Sequence, residues 1–290
     1  MNRQMLVALG IWMCALPAAA AGPAVTAELK NIPYVENGGP DQVMDLSWPR
    51  TAPKATILFI HGGSLEEAGE RRTSPPYRNV CKPFVAAGMA CASMDYRLAP
   101  SHSWPAMPND VAAAVAKLRQ LVVQRGWAPK RIFLFGHSSG CHLAAVLGTN
   151  ATYLRSVGLT PADLAGVIAM GCTLDREDAA LRGLTADRIR EPFAQDREEV
   201  AKYGTAENWL AANPASFVGP HTPPTLVVVA RAERFMPPVL EQGARFVRRL
   251  LELGIAADLV LVPGKHMESI AALGKPGDPT FDAIRVFIEK

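Results

Sequence analysis

Short, almost wholly apolar runs separated by helix-like segments constrain this chain more than any other feature. Thr56-Ile57-Leu58-Phe59-Ile60, Arg131-Ile132-Phe133-Leu134-Phe135, Gly166-Val167-Ile168-Ala169-Met170 and Thr225-Leu226-Val227-Val228-Val229 show no polar alternation. A strand with both faces apolar has to be buried on both faces, and parallel sheets sandwiched between helices provide that environment. Ala90–Met94 and Ala257–Leu261 continue the series, while Val43-Met44-Asp45-Leu46 alternates as a half-exposed strand does. Helices are predicted at about 77–87, 109–124, 238–253 and 280–288. The second of these gathers Val111, Val115, Leu118, Leu121 and Val122 on one face. Strand and helix alternate almost throughout, so the fold class is α/β, with a mostly parallel central sheet and helices on both faces.

One stretch breaks the rhythm. From Thr173 to Thr222 the sequence is polar and helix-prone, with no strand-like run. That is long for a plain connection, so a small helical excursion over the strand ends is expected, perched where Trp209 or Phe217 would meet a substrate. The rest reads as one domain over residues 22–290.

Residues 1–21 read as an export signal. Met1-Asn2-Arg3-Gln4 is a short positive head, Met5–Leu16 an apolar core, and Pro17-Ala18-Ala19-Ala20-Ala21-Gly22 a small-residue cleavage region. The apolar core is too short to span a ~30 Å hydrocarbon layer, so no stable membrane anchor is expected. A periplasmic or extracellular location follows from this reading. With a formal net charge of +3 and no block of lysine or arginine, nucleic acid is not an expected partner. Oligomeric state is open.

Beyond the leader stand Cys81, Cys91, Cys141 and Cys172. An exported protein can oxidise them; at most one disulfide is expected, with the pairing open. Cys141 is expected to pack in the interior. No Cys/His spacing typical of a metal site occurs, so neither a metal nor another cofactor is expected.

The chemistry is concentrated in Gly136-His137-Ser138-Ser139-Gly140, placed between a strand-like and a helix-like run. A serine on a sharp strand-to-helix turn projects its hydroxyl from the strand end, and the following helix directs its N–H groups at the same point. Ser138 is therefore the candidate nucleophile, and Ser139 N–H a candidate oxyanion donor. His61-Gly62-Gly63-Ser64 directly follows the Thr56–Ile60 strand, so Gly63 and Ser64 are the other candidate donors. Of the six histidines, His61 and His137 belong to the glycine motifs, His142 to the elbow helix, and His102 and His221 to proline-containing loops. His266, in a turn after the last strand, is the candidate base. Glu233 is the only acid in Ala230–Pro237, after the preceding strand. It is the candidate acid of the triad; the competing reading is a surface ion pair with Arg231 or Arg234.

His61-Gly62-Gly63, Asp95-Tyr96-Arg97-Leu98-Ala99-Pro100 and Gly136–Gly140 stand in an order and spacing that resemble α/β-hydrolase fold esterases. The chain is similar both to hormone-sensitive-lipase-type carboxylesterases and to kynurenine formamidase-like enzymes. Gly-His-Ser-x-Gly-x-His-Leu, here Gly136 to Leu143, is closer to the latter. The resemblance covers roughly Val43 to the C-terminus and implies an α/β-hydrolase fold with the chain order Ser138, Glu233, His266. It implies a serine hydrolase acting on a small-molecule ester of small to medium acyl size through an acyl-enzyme, with arylformamidase action as the enzymatic alternative. A non-catalytic binding protein on the same scaffold is the alternative from another class. Arg97 is implied to be structural. The chain departs from relatives with Ser64-Leu65 in the oxyanion loop, with Glu233 where aspartate is commoner, and with Arg231 where a small residue is usual.

Overall fold

The computed structural model describes residues 27–175, 194–233 and 238–290. The export-signal reading therefore lies outside the described residues. Each apolar run is a strand: β2 (Val43–Trp48), β3 (Thr56–Ile60), β4 (Ala90–Met94), β5 (Ile132–His137), β6 (Gly166–Met170), β7 (Thr225–Ala232) and β8 (Ala257–Lys265). β1 (Ala27–Pro33) precedes them, and the sheet order is β1-β2-β4-β3-β5-β6-β7-β8. β1 and β2 run antiparallel at one edge; from β4 through β8 every pairing is parallel. β1 has no apolar run and is almost wholly exposed, which is why hydrophobic patterning does not reveal it. β3, β5 and β6 are buried along their whole length, as unbroken apolar strands in a covered parallel sheet must be.

Helices close both faces. Ala106–Gln124, Ser139–Thr149 and Pro238–Glu252 pack one core with Leu58, Leu134 and Val227; Cys81–Ala86 and Pro279–Glu289 pack the other with Phe59, Phe135 and Val228. The second predicted helix begins earlier than expected, at Ala106, because a proline such as Pro108 is tolerated in a first turn. The first is shorter, running only over Cys81–Ala86. Asp278 caps the last helix, accepting from the N–H groups of Thr280 and Phe281 at 2.9 and 3.2 Å.

Between β6 and β7, the described part of the expected excursion holds helices Arg197–Tyr203 and Ala206–Ala211 and a short 3-10 turn at Pro214–Phe217. Asp196 caps the first of these through Glu198 and Glu199 N–H at 3.1 Å each. Residues 176–193 of the excursion lie outside the described residues. No helix among the described residues is long and apolar enough to cross a membrane.

The cysteine expectation is corrected: two disulfides form, Cys81–Cys91 and Cys141–Cys172. Spacing along the chain does not reveal them, because the pairs meet only when a helix packs on a strand or a helix meets the loop beyond β6. Cys141 is interior, as expected, with no exposed surface.

Candidate active site

In a parallel sheet the carboxyl ends of all strands lie on one edge, so loops far apart in sequence converge there. Here that edge receives Gly62–Ser64 after β3, Ser138 after β5, Gly171–Thr173 after β6, Glu233 after β7 and His266 after β8. Ser64, Ser138, Ser139, Gly171, Cys172 and His266 line one cleft of about 340 Å³.

Ser138 stands at φ 55°, ψ −125°, a conformation non-glycine residues rarely adopt. Its N–H donates to the Met170 carbonyl at 2.9 Å, so the strained turn is held by the neighbouring strand. The flanking glycines allow the crossing: a Cβ at Gly136 would lie 2.1 Å from the Gly140 carbonyl oxygen, and one at Gly140 would lie 2.1 Å from that of Ile60. Ser139 then begins the helix, leaving its first-turn N–H groups without intrahelical partners.

The loop after β3 turns through successive positive φ angles at Gly63 (110°), Ser64 (58°) and Leu65 (64°). Ser64 and Leu65 face the cleft; Gly63 shapes the turn, its carbonyl accepting from Glu66 N–H at 3.0 Å. Ala99 N–H holds Leu65 O at 2.9 Å, and Glu67 N–H holds Ala99 O at 2.8 Å, so the Asp95–Pro100 segment braces this loop. Arg97 grips Asp110 through Nε at 2.9 Å and Nη2 at 2.7 Å, a bidentate pair in keeping with a structural role.

His266 is the first residue of a short helix, His266–Ala271, rather than part of an open turn. The strand runs on to Lys265, whose N–H donates to Glu268 Oε2 at 3.0 Å and so fixes the helix start. Nδ1 of His266 lies 2.8 Å from Glu233 Oε2. The Glu233 side chain is 1% exposed, so it is a buried carboxylate in contact with the imidazole; Arg234 of the competing reading lies outside the described residues. Such a carboxylate accepts from Nδ1–H, leaving Nε2 as the basic nitrogen facing the cleft.

The remaining wall includes the expected excursion, but through residues other than the two aromatics the sequence suggested. Glu199, Lys202 and Tyr203 from the Arg197–Tyr203 helix, Val239 and His142 line the cleft, whereas Trp209 and Phe217 do not. Trp209 instead donates its indole N–H to Glu199 Oε2 at 2.6 Å. Lys202 is ion-paired to Glu66 at 2.9 Å and to Glu198, which ties the excursion to the loop after β3. Spacing of three and four along a capped helix was the available signal, but which face points inward is set by packing. Among the described residues no group of three His, Cys, Asp or Glu side chains is placed to hold a metal ion.

The alpha/beta hydrolase fold family matches residues 57–268. The chain belongs to that family. Esterase LipC of Mycobacterium tuberculosis is 28% identical over 94% of this chain and 70% of its own length. The kynurenine formamidase of Salmo salar is 29% identical over 41% of this chain and 38% of its own. Among solved structures, Esterase B from Lactobacillus Rhamnosis superposes with a TM-score of 0.69 at 19% identity, covering 90% of this chain and 85% of that one. This last likeness shows the fold, and the hydrolase fold is thus common to the chain, its family and its structural neighbours.

Proposed function

We propose that this protein is an exported serine carboxylesterase that cleaves esters of small to medium acyl groups through an acyl-enzyme. The observation that carries the reading is the 2.8 Å contact of Glu233 with His266, which shares one cleft with Ser138. Family membership and esterase relatives support a carboxylesterase-type hydrolase.

In this reading His266 Nε2 takes the Ser138 hydroxyl proton as Oγ bonds to the ester carbonyl carbon, and the carbonyl electrons move to oxygen. N–H groups of Ser139, Ser64 and Gly63 hold that oxyanion; losing one such donor typically costs ~10²–10³ in rate. The tetrahedral intermediate collapses, the alcohol leaves with the proton from His266, and Ser138 is acylated. Water then repeats the sequence, giving the acid and free Ser138. Glu233 stabilises the imidazolium at each stage. The cycle calls on side chains, backbone N–H groups and water.

A cleft of about 340 Å³ suits a short ester better than a long acyl chain. The leader at residues 1–21 and the pair of disulfides support export to an oxidising compartment. Arylformamidase action is the second reading, favoured by Gly136–Leu143 and the formamidase relative.

Purified protein is expected to hydrolyse p-nitrophenyl acetate and butyrate, and to be labelled by a fluorophosphonate, while Ser138→Ala does neither. Full activity in Ser138→Ala would sink the proposal. Faster turnover of N-formylkynurenine than of either ester would favour the second reading.

A further inference from the structure

His137 takes no part in the cycle above, yet it is fully buried beside the base. Its Nε2 lies 3.1 Å from the carbonyl oxygen of His266, and its Nδ1 lies 2.9 Å from the Tyr77 hydroxyl. A carbonyl can only accept, so Nε2 carries the proton, Nδ1 is bare, and Tyr77 donates to it. The Tyr77 hydroxyl also meets the backbone of Gly62, where an added Cβ would lie 2.5 Å from that oxygen and 2.9 Å from Ser138 Cβ. The rings of His137 and His266 are 4.6 Å apart between centroids.

We infer that His137 is a positioning residue for the proposed esterase reaction, with Gly62, Tyr77, His137 and the His266 carbonyl forming a buried chain that locks the base to the oxyanion loop. The inference rests on the esterase reading. Burial pushes His137 down to about 3, helped by the charge His266 acquires, so it stays neutral while His266 cycles. A neutral donor–acceptor imidazole satisfies both neighbours at once, which no aliphatic side chain or ionised carboxylate can do here. A helix carrying the base needs such an anchor, because an error of about 1 Å in its placement costs ~10²-fold in rate.

The test compares wild type, Ser138→Ala, His137→Phe, His137→Gln and Tyr77→Phe on p-nitrophenyl acetate, with thermal melting as the fold control. His137→Phe is expected to lose ~10–100-fold in kcat, with KM within about twofold of wild type. His137→Gln, whose amide N–H reaches the same carbonyl, recovers most of the lost kcat, and Tyr77→Phe falls between wild type and His137→Phe. Unchanged kcat in His137→Phe or Tyr77→Phe, a loss confined to KM, or a Gln variant no better than Phe overturns the inference. If His137→Phe does not fold, Tyr77→Phe decides, since it removes one hydroxyl only. Wild-type activity that disappears in Ser138→Ala keeps the esterase reading intact whatever the His137 variants do; an inactive wild type sinks both.

Discussion

The Glu233 carboxylate lies 2.8 Å from His266 Nδ1 although the two residues come from different strand ends and Glu233 is 6% exposed. A buried carboxylate needs a partner that can carry positive charge, and a histidine base needs a fixed tautomer; each residue meets the other's requirement. The pair also shows how a parallel sheet assembles chemistry from loops that share nothing in sequence but their position after a strand.

Glu233→Gln tests whether that carboxylate does more than fill space. The amide keeps the volume but presents either a neutral acceptor or an N–H to Nδ1, so the imidazolium loses its counter-charge. A fall of ~10²–10⁴ in kcat with little change in melting temperature is expected on p-nitrophenyl acetate. Activity within a factor of about three of wild type would assign Glu233 a structural role.

Gly171 makes a sharper probe of geometry. It has φ +68°, and a Cβ there would lie 3.1 Å from His266 Nδ1 and 3.6 Å from Glu233 Oε2. Gly171→Ala therefore pushes on the imidazole directly, besides straining its own backbone by ~1 kcal/mol or more. Turnover is expected to drop at least ~10-fold. Unchanged kcat would show that the imidazole has room to retreat without losing its function.

The two disulfides are expected to separate. Cys141–Cys172 closes 31 residues and joins the helix after Ser138 to the cleft wall, whereas Cys91 of the Cys81–Cys91 pair lies near the opposite, amino end of β4. Cys141→Ala/Cys172→Ala should cost about 3–4 kcal/mol in urea unfolding by the chain-entropy relation and should also lower kcat. Cys81→Ala/Cys91→Ala, closing the shorter loop, should cost about 2–3 kcal/mol and leave kcat unchanged. Equal effects of both on kcat would contradict this assignment.

Acid stability follows from two buried imidazoles. Burial lowers both His61 and His137 to about 3, from an ordinary 6.5. Between those values the unfolded chain binds protons at these positions that the folded chain refuses. Stability contributed by keeping them neutral is therefore full above pH 6.5 and declines as pH falls toward 3, by up to about 1.4 kcal/mol per pH unit for each group. Urea midpoints measured from pH 7.5 to 4 should fall accordingly, and NMR should find two imidazoles that do not titrate above pH 5. A flat stability profile together with ordinary titration of all six histidines would refute it.

Much of the candidate site was legible in the sequence. Ser138 is marked by glycines that a close crossing demands, and His266 and Glu233 by their places after β8 and β7. The misses have physical causes. Edge strand β1 buries too little to leave a hydrophobic signature. The helix at His266 depends on the Glu268 cap and on where β8 stops. Glu199, Lys202 and Tyr203 came to the cleft because Asp196 and the Glu66 pairing orient their helix.

By itself the sequence determined the α/β layering, the strained turn at Ser138 and the chain order of the candidate reactive groups, because local periodicity and backbone sterics act over a few residues. The tertiary structure decided everything that depends on distance between remote segments. It paired Cys81 with Cys91 and Cys141 with Cys172, buried Glu233 beside His266, chose the helix face that walls the cleft, and set His137 between Tyr77 and the His266 carbonyl. Such contacts arise only when the sheet stacks its strand ends along one edge, and no local pattern encodes which side chains then meet.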